Sequence, residues 1–147
     1  HTPVWRMTID IPERSRVEYK LEVHRGGHRQ LITDPLNENY ARDPYGANSV
    51  VRGAGYEDPE WARHDPEARL GEIQEMEIDA KSFGDKRNLL VYLPARYRPT
   101  RRYPLLIAHD GPDYMKFAQL RTALDNLIHR LDVQPMVCLL YTSDAAG

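Results

Sequence analysis

The sequence predicts two domains of different class, part of a β-sandwich followed by the opening strands and first helix of an α/β domain. Residues 5–11 and 17–23 alternate apolar and polar side chains, the period of a strand with one buried face. Residues 89–93 and 105–108 are continuously apolar, which is typical of strands covered on both faces. Apolar residues then recur at steps of three and four over 117–131, which predicts an amphipathic helix of about four turns.

The first domain covers residues 1–53 and is predicted to consist of short antiparallel strands. The dipeptide Gly26-Gly27 follows the second alternating stretch. Glycine readily adopts the positive φ angles that a tight hairpin turn requires, so a turn is predicted here. Loop-forming residues at 34–37 precede a further short strand at 48–51. The sequence therefore favours an incomplete β-sandwich.

The second domain is predicted over residues 71–137, after a linker at 54–70. The linker is rich in Gly, Pro, acidic residues and His, and Trp61 is its large apolar residue. A strand over 71–80 opens the domain, and another apolar run begins at Met136 after the predicted helix. Three strands, a helix and a further apolar run are how an α/β sheet begins.

The last residues, 138–147, resemble one reading frame of a transposase-end sequencing adapter. We therefore expect the natural sequence to stop near Val137 and the tail to be an artefact that carries no chemistry. The alternative is a genuine strand, because residues 136–141 are apolar enough to form one.

Composition excludes several classes of protein. Of the 147 residues, 41% are hydrophobic and 29% are charged, and the net charge is -2 with both signs interspersed. This distribution of charge gives no net excess of basic residues that would attract nucleic acid or an anionic membrane surface, so neither is an expected partner. No stretch is long and apolar enough to span a bilayer, and a cytoplasmic location is expected.

Metal and disulfide chemistry are not indicated by the sequence. Cys138 is the only cysteine, so an internal disulfide is excluded. His24 and His28 flank the Gly-Gly turn without a nearby third ligand, which is typical of an exposed hairpin tip. We expect neither a metal nor another cofactor.

The most informative motif is a buried strand, 105–108, that runs into the polar turn His109-Asp110-Gly111-Pro112-Asp113-Tyr114 and then a helix. Gly111 permits backbone to approach a ligand closely, and Pro112 has no N–H to donate. The simpler interpretation is an ordinary turn in which Asp113 caps a helix that starts near Tyr114.

Three stretches of the second domain resemble the putative esterase family of α/β hydrolases, which includes enterochelin esterase and esterase D. They are NLLVYLP at 88–94, YPLLIAHDG at 103–111 and LDNLIH at 124–129. In the first domain, VEYKL at 17–21, DPLN at 34–37 and YGANSV at 45–50 resemble the immunoglobulin-like N-terminal domain of enterochelin-esterase-like proteins. The resemblance implies the N-terminal portion of an α/β hydrolase, preceded by a partial immunoglobulin-like β-sandwich.

The resemblance also implies a serine carboxylic-ester hydrolase that uses a Ser-His-Asp/Glu triad and an acyl-enzyme. The serine should lie in G-x-S-x-G, and no serine of this chain does. Because the acid and histidine follow the nucleophile in this fold, the whole triad is expected beyond this chain, which alone should be inactive. The serines concerned are Ser15, Ser49, Ser82 and Ser143.

What remains in the chain is the turn after residue 108, where this fold supplies one oxyanion-hole N–H. The candidate donors are Gly111 and Asp113, and the candidate substrate-lining residues are His109, Asp110 and Tyr114. The implied ligand is a small-molecule ester, either a siderophore lactone or another ester. A competing hypothesis is a carbohydrate-binding or interaction β-sandwich without catalysis, which predicts exposed aromatic residues on the first domain.

Overall fold

The structure is a computed structural model that describes residues 6–82 and 84–142. The chain divides into two compact units, His1–Glu57 and Asp58–Gly147. Each unit forms its own β-sheet structure.

The described part of the first unit, residues 6–57, contains five short strands in two antiparallel sheets. A three-stranded sheet has the order β1-β5-β4, and β2 pairs with β3 as a hairpin. Gly26 and Gly27 form the hairpin turn at φ 54° and 81°, as their sequence predicts. The strands are β1 (Arg16–Tyr19), β2 (Leu21–Arg25), β3 (His28–Ile32), β4 (Tyr40–Asp43) and β5 (Gly46–Arg52).

Two predictions for this unit were wrong. Residues 6–11 form no strand, and Met7 and Ile9 are 80% and 66% exposed; Trp5 lies outside the described residues. Apolar alternation makes a strand possible, but a strand also needs a neighbour with which to exchange backbone hydrogen bonds. The single strand predicted at 17–23 is divided at Lys20, so that β1 and β2 belong to different sheets.

A polar network fixes the loop between β3 and β4. The Tyr19 hydroxyl donates to Asp34 Oδ2 (2.8 Å), and the Asp34 backbone N–H donates to the fully buried Ser49 Oγ (2.8 Å). Asn37 Nδ2 donates to the Val50 carbonyl (2.8 Å). These bonds explain why the loop sequence DPLN is ordered: its short polar side chains take the place of strand pairing.

The second unit is a four-stranded mixed sheet of order β6-β7-β9-β8. The strands β6 (Glu72–Ala80) and β7 (Asp85–Leu93) form a long antiparallel hairpin. The last strand along the chain, β9 (Val137–Tyr141), lies between β7 and β8 (Leu105–His109). It is antiparallel to β7 and parallel to β8, so β8 and β9 end at the same edge of the sheet.

Two helices connect β8 to β9, where the sequence predicted one. Helix α1 covers Gly111–Phe117 and helix α2 covers Leu120–His129. Gln119 adopts a left-handed conformation (φ 51°) between them, which breaks the helix although the apolar spacing continues across it. The predicted helix start near Tyr114 was also wrong, because α1 begins at Gly111. No helix in the described part of the chain is both long and apolar enough to cross a membrane.

The core lies between the sheet and the helices. Its buried members are Tyr92 on β7, Leu124 and Ile128 on α2, and Cys138 and Leu140 on β9. Burial raises the pKa of the Cys138 thiol to about 11, so this cysteine stays protonated at neutral pH and is inert as a nucleophile.

The opposite face of the sheet is partly open. Leu105 and Ile107 on β8 point to this face and are 59% and 52% exposed, and Met76 and Ile78 on β6 are 48% and 40% exposed. The prediction that strands are covered on both faces therefore holds for Val91 and Tyr92 on β7 but was wrong for β8, which is an edge strand in this chain. An apolar edge strand is a template for association with other chains.

A short segment before β6 runs along α2. It contains a 3-10 turn at Glu60–Ala62, within the region that the sequence assigns to the linker. The buried Asn126 donates through Nδ2 to the backbone carbonyls of Trp61 (2.9 Å) and Arg63 (2.6 Å). These bonds attach this segment to the second unit.

A buried carboxylate fixes the end of the same segment. Asp125 on α2 is 2% exposed, and its Oδ1 accepts from the Gly71 N–H (2.7 Å) and the Tyr92 hydroxyl (2.8 Å). The Arg121 guanidinium donates to the Gly71 carbonyl (2.7 Å) and approaches Asp125 Oδ2 (3.7 Å). Burial, and then the hydrogen bond to Asp125, raise the pKa of Tyr92 far above its usual range, so the phenol remains a proton donor.

We expect the isolated chain to aggregate through its open sheet face. Replacing Ile107 with Lys places a charge on the exposed apolar edge and should increase the soluble fraction several-fold. Leu140→Lys is the matched control, because Leu140 is 1% exposed and a charge there should abolish folding. The measurement is the soluble fraction after expression, followed by light scattering. A wild-type chain that is monomeric at all concentrations would contradict the expectation.

Candidate active site

The candidate site is the turn between β8 and α1, at the edge where the two parallel strands end. Asp110 follows β8 in a left-handed conformation (φ 53°, ψ 36°), and α1 begins at the next residue. A non-glycine residue in this conformation costs roughly 1 kcal/mol, and such residues concentrate at sharp functional turns. Asp110 stands at the N-cap position without a side-chain cap, so the predicted cap by Asp113 was wrong.

Gly111 is buried, and its lack of a side chain allows the helix to begin directly against β9. A Cβ at this position would lie 2.2 Å from the Leu140 Cβ and 2.6 Å from the Leu140 Cα. No real side chain tolerates such distances to backbone atoms. The glycine is therefore required by the packing of α1 on the sheet, whatever its chemical role.

The two predicted oxyanion donors differ in their hydrogen bonds. The Asp113 N–H donates to the Asp110 carbonyl at 2.9 Å, and the Tyr114 N–H shares that acceptor at 3.2 Å. Gly111 is the first residue of α1, where a backbone N–H has no partner within the helix.

The side chains around the turn are open to solvent. His109, Asp110 and Tyr114 are all exposed, and Tyr114 is 52% exposed. The structure therefore brings the predicted lining residues together on one short segment beside Gly111. In open α/β sheets, ligands bind at the carboxyl ends of the parallel strands, which is where this turn lies.

One contact of this turn is not apparent from the sequence. His109 and Tyr141 are register partners at the ends of β8 and β9. Their ring centroids are 4.7 Å apart, and the Tyr141 hydroxyl forms a short contact with His109 Nδ1. Tyr141 belongs to the tail that the sequence assigns to an adapter, so nothing directed attention to it. The imidazole of His109 is thus in contact with the phenol hydroxyl of Tyr141.

Several other residues with catalytic or ligating potential are bonded or buried elsewhere in the structure. Ser15 Oγ donates to the Pro12 carbonyl (2.6 Å), Ser49 is buried under its own loop, and Ser143 lies outside the described residues. His24 pairs with Glu22 (2.5 Å). Within the described residues, no three His, Cys, Asp or Glu side chains form a group that could hold a metal ion.

Comparison with known proteins finds that the second unit is similar to esterases. Residues 80–143 match the model of the family described as Putative esterase. The uncharacterized protein YjcH of Bacillus subtilis (strain 168) is 29% identical over 69 residues, which are 47% of this chain and 29% of that protein.

Solved structures show the same fold for a larger part of the chain. The enterobactin esterase of Shigella flexneri aligns with a TM-score of 0.57 and 20% identity, over 80% of this chain and 30% of that one. The ferric enterobactin esterase of Salmonella typhimurium gives 0.59 and 24%, over 79% and 29%. A ferulic acid esterase of Anaeromyces mucronatus gives 0.52 and 16%, over 57% and 34%. The chain thus spans about a third or less of the length of these relatives.

Proposed function

We propose that this chain, whose residues 80–143 match the putative esterase family, is the N-terminal part of a serine carboxylic-ester hydrolase. The observation that carries the proposal is the sharp turn at Gly111, at the carboxyl edge of the parallel strands β8 and β9. Acyl transfer needs preorganised donors where negative charge develops on the carbonyl oxygen, and a helix start of this kind offers one. The Ser-His-Asp/Glu triad would lie on a continuation of the chain.

Of the two candidate donors, we favour the Gly111 N–H. The Asp113 N–H is already bonded to the Asp110 carbonyl at 2.9 Å, and using it would require that bond to break. The Gly111 N–H lies before any acceptor of its own helix, so it is available without rearrangement. A donor that needs no reorganisation at the moment of reaction stabilises the transition state most effectively.

His109, Asp110 and Tyr114 would line the entrance for a small-molecule ester. Their exposure at the strand ends supports contact with a bound substrate. The Shigella relative was solved in the presence of enterobactin, which supports a siderophore lactone as one candidate substrate. Other carboxylic esters are the alternative class. We propose that the reaction needs no cofactor, because acyl-enzyme chemistry uses only protein side chains. We also propose a cytoplasmic location.

The first unit corresponds in our proposal to part of an immunoglobulin-like sandwich over residues 1–53, joined by a linker at 54–70 to the hydrolase portion at 71–137. Its antiparallel sheets support this assignment. A second candidate function, binding of carbohydrate or of another protein, is favoured by Tyr45 and Tyr40 around the β4–β5 hairpin, which are 95% and 47% exposed. Exposed aromatic rings are the usual platform for sugar stacking and for interfaces.

The test begins with the source DNA, cloned without transposase adapters and read onward from the codon for Val137. We expect a sequence that replaces residues 138–147, continues the strand, and later contains G-x-S-x-G, then Asp or Glu, then His. The protein made from it should hydrolyse p-nitrophenyl butyrate and react covalently with a fluorophosphonate, since an activated serine is the nucleophile. The 147-residue chain should do neither.

The matched control is the complete protein with the serine of G-x-S-x-G replaced by alanine, which should lose both activities. A reading frame that ends without that motif, or a complete protein that the fluorophosphonate does not label, would refute the esterase proposal. Retention of the chain on immobilised glucan would then support the binding function.

A further inference from the structure

The loop between β7 and β8 carries an unusual concentration of charge. Residues 95–103, here called the basic loop, contain four arginines and no acidic residue, against a net charge of -2 for the whole chain. The rest of the chain therefore carries a formal charge of -6. Like charges placed so close together repel one another unless a counter-charge is present. The arginines are Arg96, Arg98, Arg101 and Arg102.

The basic loop has a defined shape. Its two turns are closed by hydrogen bonds from the Tyr97 N–H to the Pro94 carbonyl and from the Arg101 N–H to the Arg98 carbonyl, both 3.0 Å. The Arg98 N–H donates to the Tyr103 hydroxyl (3.0 Å), and the rings of Tyr97 and Tyr103 stack with centroids 5.1 Å apart. Side chains held on an ordered backbone lose less entropy when they bind.

The charges of this loop are not neutralised within the described structure. All four arginines are exposed. No carboxylate whose position the structure describes lies within 4.0 Å of their guanidinium groups. The one specific contact among them is that of Arg101, whose guanidinium carbon lies 5.3 Å from the centre of the Tyr103 ring. The donors of the loop therefore face solvent with their hydrogen-bonding capacity unused.

The composition of the loop distinguishes among anionic partners. All its cations are arginine and none is lysine, and its other large side chains are tyrosines. Arginine and tyrosine are enriched at protein interfaces, where lysine is depleted, and the guanidinium fork binds carboxylates in a bidentate manner. We propose that the basic loop is a docking surface for a carboxylate-rich segment of a partner protein.

This surface is separate from the candidate active site. The loop joins the end of β7 to the start of β8, and Leu105 pairs with Val137 at that end, whereas His109 pairs with Tyr141 at the other. The strand β8 places about 13 Å between the two ends, at about 3.3 Å per residue. Docking at the basic loop therefore leaves the turn at Gly111 open.

The experiment measures binding of a fluorescein-labelled polyglutamate peptide by fluorescence polarisation. The 147-residue chain is fused to a solubilising carrier protein, and the carrier alone is the blank. The variant R98E/R101E should weaken binding at least about tenfold, because the loop loses two of its four guanidinium groups and gains two repelling charges. Tyr103→Phe should weaken it by a smaller factor, because it removes one of the bonds that order the loop and leaves every charge in place.

The matched control is R25E/R42E, which makes the same change in net charge at two exposed arginines of the first unit. It should change the affinity less than about twofold, since neither arginine belongs to the basic loop and long-range effects of surface charge are screened by salt. Equal weakening by both double variants would show that net charge alone governs binding and would overturn the proposal. Binding of oligothymidylate more tightly than polyglutamate would also overturn it, in favour of a nucleic-acid surface.

Discussion

Replacing Asp125 with alanine is expected to lower the free energy of unfolding of the second unit by about 3 kcal/mol. The substitution leaves the Gly71 N–H and the Tyr92 hydroxyl buried without an acceptor, and each bond to a charged group contributes about 1.5 kcal/mol or more. Arg121 also loses the carboxylate that it approaches at 3.7 Å. The measurement is urea unfolding followed by Trp61 fluorescence, with Trp5 replaced by phenylalanine so that one tryptophan reports.

The control for this prediction is Asp125→Asn. Both hydrogen bonds end on Oδ1, and an asparagine oxygen can still accept both, although more weakly than a carboxylate, so this variant should lose only about 1 kcal/mol. Equal losses for Ala and Asn would mean that the charge, and not the shared acceptor, stabilises the unit. An alanine variant as stable as the wild type would show that the network contributes nothing.

Gly111→Ala should destabilise the same unit by about 3 kcal/mol or more. The new Cβ would lie 2.6 Å from the Leu140 Cα, and a backbone atom cannot rotate away as a side chain can. Either α1 moves off the sheet or β9 shifts. Urea unfolding and limited proteolysis of the β8–α1 turn measure the two consequences together.

Pro112→Ala is the control for that experiment, because Pro112 is the exposed neighbour of Gly111 in the first turn of α1. It should change stability by less than about 1 kcal/mol, since an exposed first-turn position neither packs nor needs its fixed φ. If the proposed esterase activity is found in the complete protein, Pro112→Ala should retain it. A Gly111→Ala variant with wild-type stability would contradict the close packing of α1 on β9.

The features that sequence analysis predicted are those set by neighbouring residues. The apolar run at 89–93, the strand at 72–80 and the turn around Gly111 each follow from local periodicity or from the freedom of glycine. The features it missed depend on distant partners. Residues 6–11 alternate like a strand but do not form one. The helix ends before Gln119, which adopts a left-handed conformation although no glycine or proline lies there to indicate a break.

In the candidate site, too, the local features were predicted from the sequence and those that depend on distant residues were not. The position of the turn was predicted, because a polar, glycine-containing segment between a strand and a helix is a local pattern. The close approach of Gly111 to Leu140 was not, because it depends on the position of β9. The burial of Asp125 was not predicted either, because the periodicity of an amphipathic helix does not reveal that the chain before β6 covers this residue.

The central place of β9 in the sheet determines when this unit can fold during synthesis. The strands β7 and β8 do not pair with each other, so a nascent chain that has emerged only as far as α2 holds a hairpin and a separate apolar strand. The sheet closes only after the strand at the position of β9 has left the ribosomal exit tunnel. Until then the apolar strand stays open to chaperones and to neighbouring nascent chains, which is the common hazard of folds that rely on late, long-range strand pairing.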